Sequence, residues 1–170
     1  MTSTAIQIPS LDEIQQECAR RSLYDFCDYM MWDEVQERST FVHGEHVRKM
    51  CDALQAVERG DINRLMIFAP PRHMKSLANS QLGPAYFLGK DPRRRIVQTG
   101  YGDAISVEHS RRCRDFFVSP RFRALFPNAR YQATKETQSW LPPPRQSAHE
   151  WGTTAGGGFR AVGIGGALTG

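Results

Sequence analysis

Residues 65–76 read Leu65-Met66-Ile67-Phe68-Ala69-Pro70-Pro71-Arg72-His73-Met74-Lys75-Ser76. The first four are an apolar run of strand length, a tight turn follows, and Leu77-Ala78-Asn79 then favours a helix. This order predicts a phosphate-binding loop, in which main-chain N–H groups and the positive end of a helix dipole converge on phosphate. Lys75 would supply a point charge, and the hydroxyl of Ser76 would be a ligand for Mg²⁺.

The usual pattern of such a loop, G-x-x-x-x-G-K-[ST], has two glycines where this chain has Ala69 and Met74. The alternative is an ordinary strand–turn–helix connection with a lysine in the first helical turn. Two features favour phosphate binding. Pro70-Pro71 enforces a stiff, non-helical approach, and a lysine at the positive end of a helix is unfavourable unless an anion meets it.

Composition restricts the class of protein. The chain has 170 residues, of which 40% are hydrophobic and 24% are charged, as in globular proteins. The segment Met1 to Pro9 has neither the basic region nor the apolar core of a signal peptide, and no apolar run approaches the roughly 20 residues that span a bilayer. The cysteines show no C-x-x-C spacing, which favours reduced core residues over a disulfide framework or a metal site; they are Cys18, Cys27, Cys51 and Cys113.

Charge is distributed unevenly along the chain. Residues 1–85 hold 9 basic and 12 acidic side chains, whereas residues 86–170 hold 13 basic and 6 acidic ones, for a net charge of +4 overall. Of the 22 basic residues, 18 are arginine, which suits bidentate phosphate contact. The basic second half indicates a polyanionic partner. A solvated arginine-rich surface is the alternative, and charge alone does not choose between them.

Periodicity and helix-capping signals predict the remaining elements. These are a helix from the Ser10/Glu13 capping box to about Trp32, a helix ending at Gly60, a helix from Ser76 to about Leu88 with a kink or early stop at Gly83-Pro84, a strand over Arg95–Gly100, a helix from about Asp103 to Val118, and a helical turn before Pro127. Strands that alternate with helices predict βαβ units and a mainly parallel sheet. The run Pro142-Pro143-Pro144 predicts an exposed connector.

Two further patterns are weaker. The cluster His43, Glu45 and His46 lacks the H-E-x-x-H spacing, so we interpret it as structural, or as part of a surface near the nucleotide, rather than as a zinc site. The glycine tract Gly156–Gly170 follows no clear strand and opens no helix, which argues against a dinucleotide fingerprint. Close backbone approach to a ligand or to another chain and flexible turn structure both remain open for it.

The loop sequence Ala-Pro-Pro-Arg-His-x-Lys-Ser resembles the Walker A region of the large terminase subunit of tailed bacteriophages. The similarity covers roughly residues 40 to 170, through His46, Thr99-Gly100-Tyr101-Gly102, Leu125-Phe126-Pro127 and Leu168-Thr169-Gly170. It implies a RecA-like ASCE P-loop NTPase fold of the α/β class, with an incomplete, mainly parallel sheet flanked by helices. Residues 1–39 would be an N-terminal helical segment, and residues 40–170 the N-terminal part of the ATPase domain.

The resemblance also implies an activity, which is ATP hydrolysis, with Mg²⁺, that drives double-stranded DNA into a preformed capsid. The intact protein would act as a homo-oligomeric ring with the portal protein and the small terminase subunit, in the cytoplasm of a bacterial host and transiently at the procapsid portal. Two alternatives stay open: a nucleotide- or nucleic-acid-binding module without motor activity, and a non-catalytic prophage remnant.

Residue roles follow from the matching positions. The nucleotide site would comprise Pro71, Arg72, His73, Met74, Lys75 and Ser76. Of these, Lys75 would neutralise the β- and γ-phosphates, Ser76 would bind Mg²⁺, and Arg72 would sense the γ-phosphate unless it is only a surface arginine in a turn. The candidates for DNA or subunit contact are Arg111, Arg112, Arg114 and Arg160; Arg160 is also a candidate arginine finger, and a solvated helix face is the alternative for the first three.

Three departures from the family pattern restrict these roles. Met74 replaces the glycine before the lysine, no apolar strand ends in Asp-Glu as a Walker B element does, and the acidic cluster of a nuclease domain is absent. Without the carboxylate pair, Mg²⁺ lacks an anchor and the attacking water lacks a positioning base. We therefore expect the chain to be the front part of a larger protein and not to hydrolyse ATP alone.

Overall fold

The N-terminal region forms two helices instead of the single helix predicted to Trp32. The computed structural model describes residues 8–132 and 148–163, and its first helices are α1 (Leu11–Arg21) and α2 (Leu23–Met30). The predicted capping box begins α1, since the Ser10 hydroxyl accepts the Glu13 N–H at 3.2 Å and the Ser10 N–H donates to Glu13 at 2.7 Å. Ser22 divides the helices because its hydroxyl accepts the Asp25 N–H and caps α2.

A short antiparallel pair, β1 (Trp32–Asp33) and β2 (Arg38–Ser39), leads into helix α3 (Glu45–Arg59). The buried stripe of α3 faces the core and includes Val47 and Cys51, both fully buried. Gly60 ends α3 in the left-handed conformation with φ at 85°, which confirms the predicted stop.

The next helix passes through the proline that was expected to distort or stop it. Helical structure begins at Lys75, becomes a π-helical turn over Leu77–Leu82 and continues as α4 (Gly83–Lys90). The predicted early stop therefore does not occur, and the distortion takes the form of the wider turn, in which the Gly83 N–H donates to the carbonyl of Ala78. A Cβ on Gly83 would lie 2.5 Å from that oxygen, so the turn requires glycine there.

The main sheet is three-stranded and mixed. Its strands are β3 (Arg95–Gly100), β4 (Glu150–Gly152) and β5 (Gly158–Gly163), in the spatial order β3-β5-β4. β5 runs parallel to β3, with Arg95 opposite Gly158 and Gly100 opposite Gly163, and antiparallel to β4. The α/β class and the strand over Arg95–Gly100 are thus confirmed, whereas the sheet is mixed rather than mainly parallel because β4 returns directly beside β5.

The predicted strand Leu65–Phe68 joins no ladder within the part of the chain that the structure describes, so this prediction is wrong for these residues. The segment keeps the alternation of a strand, with Leu65 and Ile67 against the core and Met66 and Phe68 78% and 87% exposed. No neighbouring strand pairs with it. A groove of about 470 Å³ instead separates it from β3.

The glycine tract contains a strand that sequence periodicity does not reveal. Its residues 158–163 form the central strand of the sheet, and residues 164–170 lie outside the described residues, as does Pro142-Pro143-Pro144. Gly157, just before β5, has no room for a side chain, because a Cβ would collide with the carbonyl oxygens of Pro92 and Arg94. Residues 157–163 therefore match neither of the two interpretations left open for the tract, because they form a regular strand whose close backbone approach is to the chain itself and not to a ligand or another chain.

The core joins the helices to one face of the sheet. Helices α1 and α2 pack against α4 and α6 (Pro120–Leu125) through aromatic side chains, among them Phe26, Tyr86 and Phe122. Helix α5 (Asp103–Val118), predicted from the sequence, covers the sheet, with Phe117 in contact with Trp151 of β4. Among the described residues, no helix is both long and apolar enough to cross a bilayer.

Candidate phosphate-binding loop

The loop between the extended segment and the helix contains two left-handed residues. Arg72 has φ at 64° and Met74 has φ at 60°, and neither is glycine. Such a conformation costs on the order of 1–3 kcal/mol at a non-glycine residue and persists only where surrounding contacts enforce it. Met74 thus adopts the backbone conformation for which glycine is suited, at the position where the phosphate-loop pattern has glycine.

Main-chain donors are available at the end of this loop. Residues 71 and 72 form a hydrogen-bonded turn that involves the His73 N–H, whereas the N–H groups of Met74, Lys75 and Ser76 precede the first hydrogen bond of the helix, from the Ala78 N–H to the Met74 carbonyl, and have no other backbone acceptor among the described residues. Left-handed residues within a turn direct successive N–H groups into one concavity, and a helix N-terminus adds the positive end of its dipole. The arrangement therefore provides the donors that an anion needs.

The side chain of Lys75 folds back across the loop. Its ammonium Nζ donates to the carbonyl oxygen of Ala69 at 3.2 Å, and the side chain is half-buried. Lys75 also lines the groove that separates the extended segment from β3, together with Asn79, Ser80 and Thr99. A charged group held over the loop by a single neutral carbonyl can exchange that carbonyl for a phosphate oxygen, which is a stronger acceptor.

The other predicted ligands lie around the same turn. Ser76 is exposed in the first helical turn, and Pro71, Arg72 and His73 are exposed in the loop. Across residues 8–132 and 148–163, no group of three or more histidine, cysteine, aspartate or glutamate side chains could hold a metal ion.

The Met74 side chain does not fill the hollow of the loop, since it packs against the hydrophobic core together with Leu65, Ile67 and Leu77. The sequence alone identifies Met74 as an obstacle to phosphate because of its side chain. In the structure the side chain points toward the hydrophobic core and away from the hollow. The remaining consequence of having methionine instead of glycine is the strain of the left-handed backbone.

This strain leads to a prediction about Met74. We expect Met74→Gly to retain about 1 kcal/mol more unfolding free energy than Met74→Ala, because both variants lose the same packing and only alanine keeps the left-handed strain. Urea denaturation of the two variants measures the difference. At Lys49, exposed within α3, the order should reverse, since alanine is the better helix former; the same order at both positions would contradict the assignment.

The cluster His43, Glu45 and His46 separates into three different contacts. The His43 ring hydrogen-bonds the Tyr24 hydroxyl at 2.9 Å and lies 3.3 Å from the Asp28 carboxylate. Glu45 pairs with Lys49 at 3.7 Å. The His46 ring instead lies against the ring of His73 in the loop, with centroids 5.4 Å apart. Only His46 of the three contacts the loop.

The four arginines proposed for DNA or subunit contact lie on elements other than the loop. Arg111 and Arg112 are exposed on α5, and Arg112 pairs with Glu108 at 2.8 Å. Arg114, on the same helix, is half-buried near Tyr131, whose pKa burial raises to about 12. Arg160 lies in the central strand, opposite Val97 and Glu150. The structure thus brings together the loop residues 71–76 and keeps these arginines separate from them.

A titratable histidine, His109 of α5, hydrogen-bonds Gln98 of β3 behind the groove. The side-chain amide Nε2 of Gln98 donates to Nδ1 of His109 at 2.8 Å, so Nδ1 carries no proton. Burial lowers the pKa of His109, and the nearby Arg112 lowers it further. His109 is therefore neutral in the folded protein at a pH at which the unfolded chain already binds a proton.

A pH dependence of stability follows from His109. Its contribution is complete above the ordinary histidine pKa of about 6.5 and is lost as the pH falls below that value, because the unfolded state then binds the extra proton. We expect the urea midpoint of the wild type to fall more between pH 7.5 and pH 5.5 than that of His109→Gln. Equal falls in the two proteins would show that His109 does not titrate differently on folding.

Several site features have no signal in the sequence. The Ala69 carbonyl as the acceptor for Lys75, the contact between His46 and His73, and the approach of Thr99 to the groove each join residues that local patterns do not connect. The resemblance includes His46 without assigning it a contact. Only the folded chain places it beside the loop.

Comparison of the chain with protein-family models, with curated proteins and with solved structures gives no match. The chemistry of the loop therefore rests on the contacts described above.

Proposed function

We propose that residues 71–76 bind the phosphates of ATP together with Mg²⁺, and that the chain is the ATP-binding part of a DNA-packaging motor of the large-terminase type, with a RecA-like ASCE fold. One observation carries the proposal: the N–H groups of residues 74–76, at the helix start, have no backbone acceptor in the described structure, and the Lys75 ammonium crosses the same turn to the Ala69 carbonyl. Every helix start leaves N–H groups unpaired, and the lysine held beside them adds the positive charge that favours an anion here.

Each loop residue has a defined role in this proposal. The N–H groups of Met74 to Ser76 donate to phosphate oxygens, and Lys75 leaves the Ala69 carbonyl to neutralise the β- and γ-phosphates. The Ser76 hydroxyl, exposed at the helix start, binds Mg²⁺. Arg72 is exposed in the turn, and in this proposal its guanidinium contacts the terminal phosphate.

The motor part of the proposal rests on the resemblance and on the charge distribution. Residues 86–170 carry the basic excess, and Arg111 and Arg112 expose part of it on α5. These side chains suit the backbone of double-stranded DNA, which binds arginine without regard to sequence. Portal protein, small terminase subunit and a ring of identical chains would be partners of the intact protein. Hydrolysis requires a carboxylate pair that this sequence does not supply after an apolar strand, so we expect binding without turnover.

A direct test is titration of the chain with a fluorescent ATP analogue in the presence of Mg²⁺. We expect Lys75→Ala to weaken binding by about 10- to 100-fold, the factor associated with losing a hydrogen bond to a charged group. Ser76→Ala should weaken binding with Mg²⁺ present and have little effect when EDTA removes the ion.

Lys49→Ala is the matched control, because Lys49 is an exposed lysine on α3 that pairs only with Glu45. It should bind as the wild type does. Equal affinity of the wild type and Lys75→Ala would overturn the proposed function, and so would phosphate release from the wild type unchanged by Lys75→Ala.

A further inference from the structure

We propose that His46 of α3 is a positioning residue for the loop, which it holds in its strained conformation through the ring of His73. The inference rests on the proposed function where it concerns nucleotide affinity, and on the described contacts alone where it concerns the loop. The observation that supports it is the ring contact between His46, in the first turn of α3, and His73 in the loop, which are 27 residues apart in sequence.

The two rings meet edge to face. Their centroids are 5.4 Å apart and their planes are inclined at 66°, which is the arrangement that aromatic pairs favour. The His46 ring also lies over Gly44, where a Cβ would come within 2.8 Å of its Cε1 atom. Gly44 thus leaves the space in which the His46 ring turns toward the loop.

His46 belongs to helix α3, which is held in place by contacts outside the loop. The residue after it, Val47, is fully buried, and the guanidinium of Arg48 lies 4.1 Å from the centre of the Tyr24 ring. Further along α3, Gln55 accepts the Leu23 N–H at 2.9 Å and so ties the helix to the start of α2. The helix is therefore a fixed support for the His46 ring.

On the loop side, His73 has a defined protonation pattern. Its Nδ1 lies 2.8 Å from the carbonyl oxygen of Pro71. Because a carbonyl oxygen only accepts hydrogen bonds, Nδ1 carries the proton and donates it. This hydrogen bond closes the turn across Arg72, the first left-handed residue. The rest of the His73 ring contacts the ring of His46.

Apart from the packing of Met74 against the core, the loop has few other attachments. Pro71, Arg72 and His73 are exposed, and the side-chain hydrogen bonds that cross the loop within the described structure are those of His73 to Pro71 and of Lys75 to Ala69. The latter must open when Lys75 turns to phosphate. The His46 contact and the core packing of Met74 then remain, and of the two only the His46 contact acts on the exposed part of the loop, at Arg72 and His73.

Limited trypsin digestion tests this without any nucleotide, because trypsin cleaves after Arg72 only when the loop departs from its fixed path. We expect His46→Ala to raise the initial rate of cleavage at the Arg72–His73 bond by about three- to tenfold, the factor that one aromatic pair contributes. His46→Phe, which keeps an aromatic ring, should stay within about twofold of the wild type. Cleavage after Arg112, within α5, should not change and so reports that the variant remains folded.

The matched control is His43→Ala. His43 is three residues from His46 and also carries a ring, but it contacts Tyr24 and Phe41 instead of the loop. Removing the His43 ring should leave cleavage at Arg72–His73 within about twofold of the wild type, because the ring contacts that are lost do not involve any loop residue. A rise equal to that of His46→Ala would overturn the proposal by showing a general loosening.

A spectroscopic readout distinguishes positioning from a purely structural role. In ¹⁵N spectra of labelled histidine, His73 should show the Nδ1-protonated tautomer in the wild type and in His46→Phe, and should shift toward the mixture of free imidazole in His46→Ala. Unchanged cleavage together with an unchanged tautomer in His46→Ala would overturn the proposal.

Nucleotide titration separates this inference from the proposed function. If the wild type binds the ATP analogue, His46→Ala should weaken binding by about three- to tenfold and His46→Phe should restore it; unaltered affinity in His46→Ala would overturn the positioning role. If the wild type binds no nucleotide, the proposed function fails, and the cleavage and tautomer measurements still decide the role of His46.

Discussion

Trp151→Ala should lower the free energy of unfolding by about 3–5 kcal/mol, the usual cost of truncating a fully buried tryptophan. The side chain is 1% exposed, stacks on Phe159 with ring centroids 5.7 Å apart and contacts Phe117 and Tyr131. It therefore joins α5 to two strands of the sheet at once. Urea denaturation followed by circular dichroism measures the loss.

Two variants accompany this measurement. Trp151→Phe keeps most of the apolar contact but removes the indole N–H, which donates to the Ser110 hydroxyl at 3.2 Å, so we expect a loss of about 1–3 kcal/mol. Trp32→Ala, at a residue 37% exposed, should cost much less than Trp151→Ala. A loss below about 1 kcal/mol for Trp151→Ala would mean that the packing of β4 on α5 is not as described.

The second large effect concerns the ion pair between Arg94 and Glu58. The guanidinium lies 2.9 Å from the Glu58 carboxylate and donates to the Glu58 carbonyl at 2.8 Å, which ties the end of α3 to the start of β3. The Glu58 side chain is 8% exposed and that of Arg94 is 33% exposed. We expect Arg94→Met to cost about 2–3 kcal/mol, somewhat below the usual value for a buried pair because Arg94 is partly solvated.

The double variant Arg94→Met/Glu58→Met tests whether the stability loss in Arg94→Met comes from the unpaired carboxylate of Glu58. Removing both charges eliminates the unpaired buried carboxylate, so the double variant should be more stable than Arg94→Met alone. Arg93→Met is the control, since Arg93 is 78% exposed and pairs with Asp91 at the surface; its urea midpoint should match that of the wild type. Glu58→Met alone completes the cycle, and a double-variant loss equal to the sum of the Arg94→Met and Glu58→Met losses would contradict a buried pair.

Elements with a complete local signal were predictable from the sequence. The Ser10/Glu13 box, the stop at Gly60 and the strand over Arg95–Gly100 each depend on residues within a few positions of one another, and the structure confirms all three. Two segments differ from the prediction in opposite ways: Leu65–Phe68 was predicted as a strand and joins none among the described residues, and Gly158–Gly163 was not predicted as a strand and forms one. The first has strand composition but no partner in the described structure, and the second has weak composition but two partners, because pairing is decided by distant neighbours.

The loop shows the same division. The sequence places its residues and identifies Met74 as a departure from the glycine pattern because of its side chain, whereas the left-handed backbone at Met74 is seen only in the structure. The support of the loop from α3 could not be predicted, because it depends on how α3 packs against α2 and on the free space at Gly44. Whether the loop binds ATP stays a prediction.

The π-helical turn over Leu77–Leu82 sets the rotational relation between the loop and α4. One extra residue in a turn rotates everything before it by about 100° relative to everything after it, since an α-helix advances 3.6 residues per revolution. The direction in which Lys75 and Ser76 point relative to the buried residues of α4 therefore depends on this turn. An inserted or deleted residue in Leu77–Leu82 would rotate Lys75 and Ser76 about the helix axis, while the buried residues of α4 kept their positions.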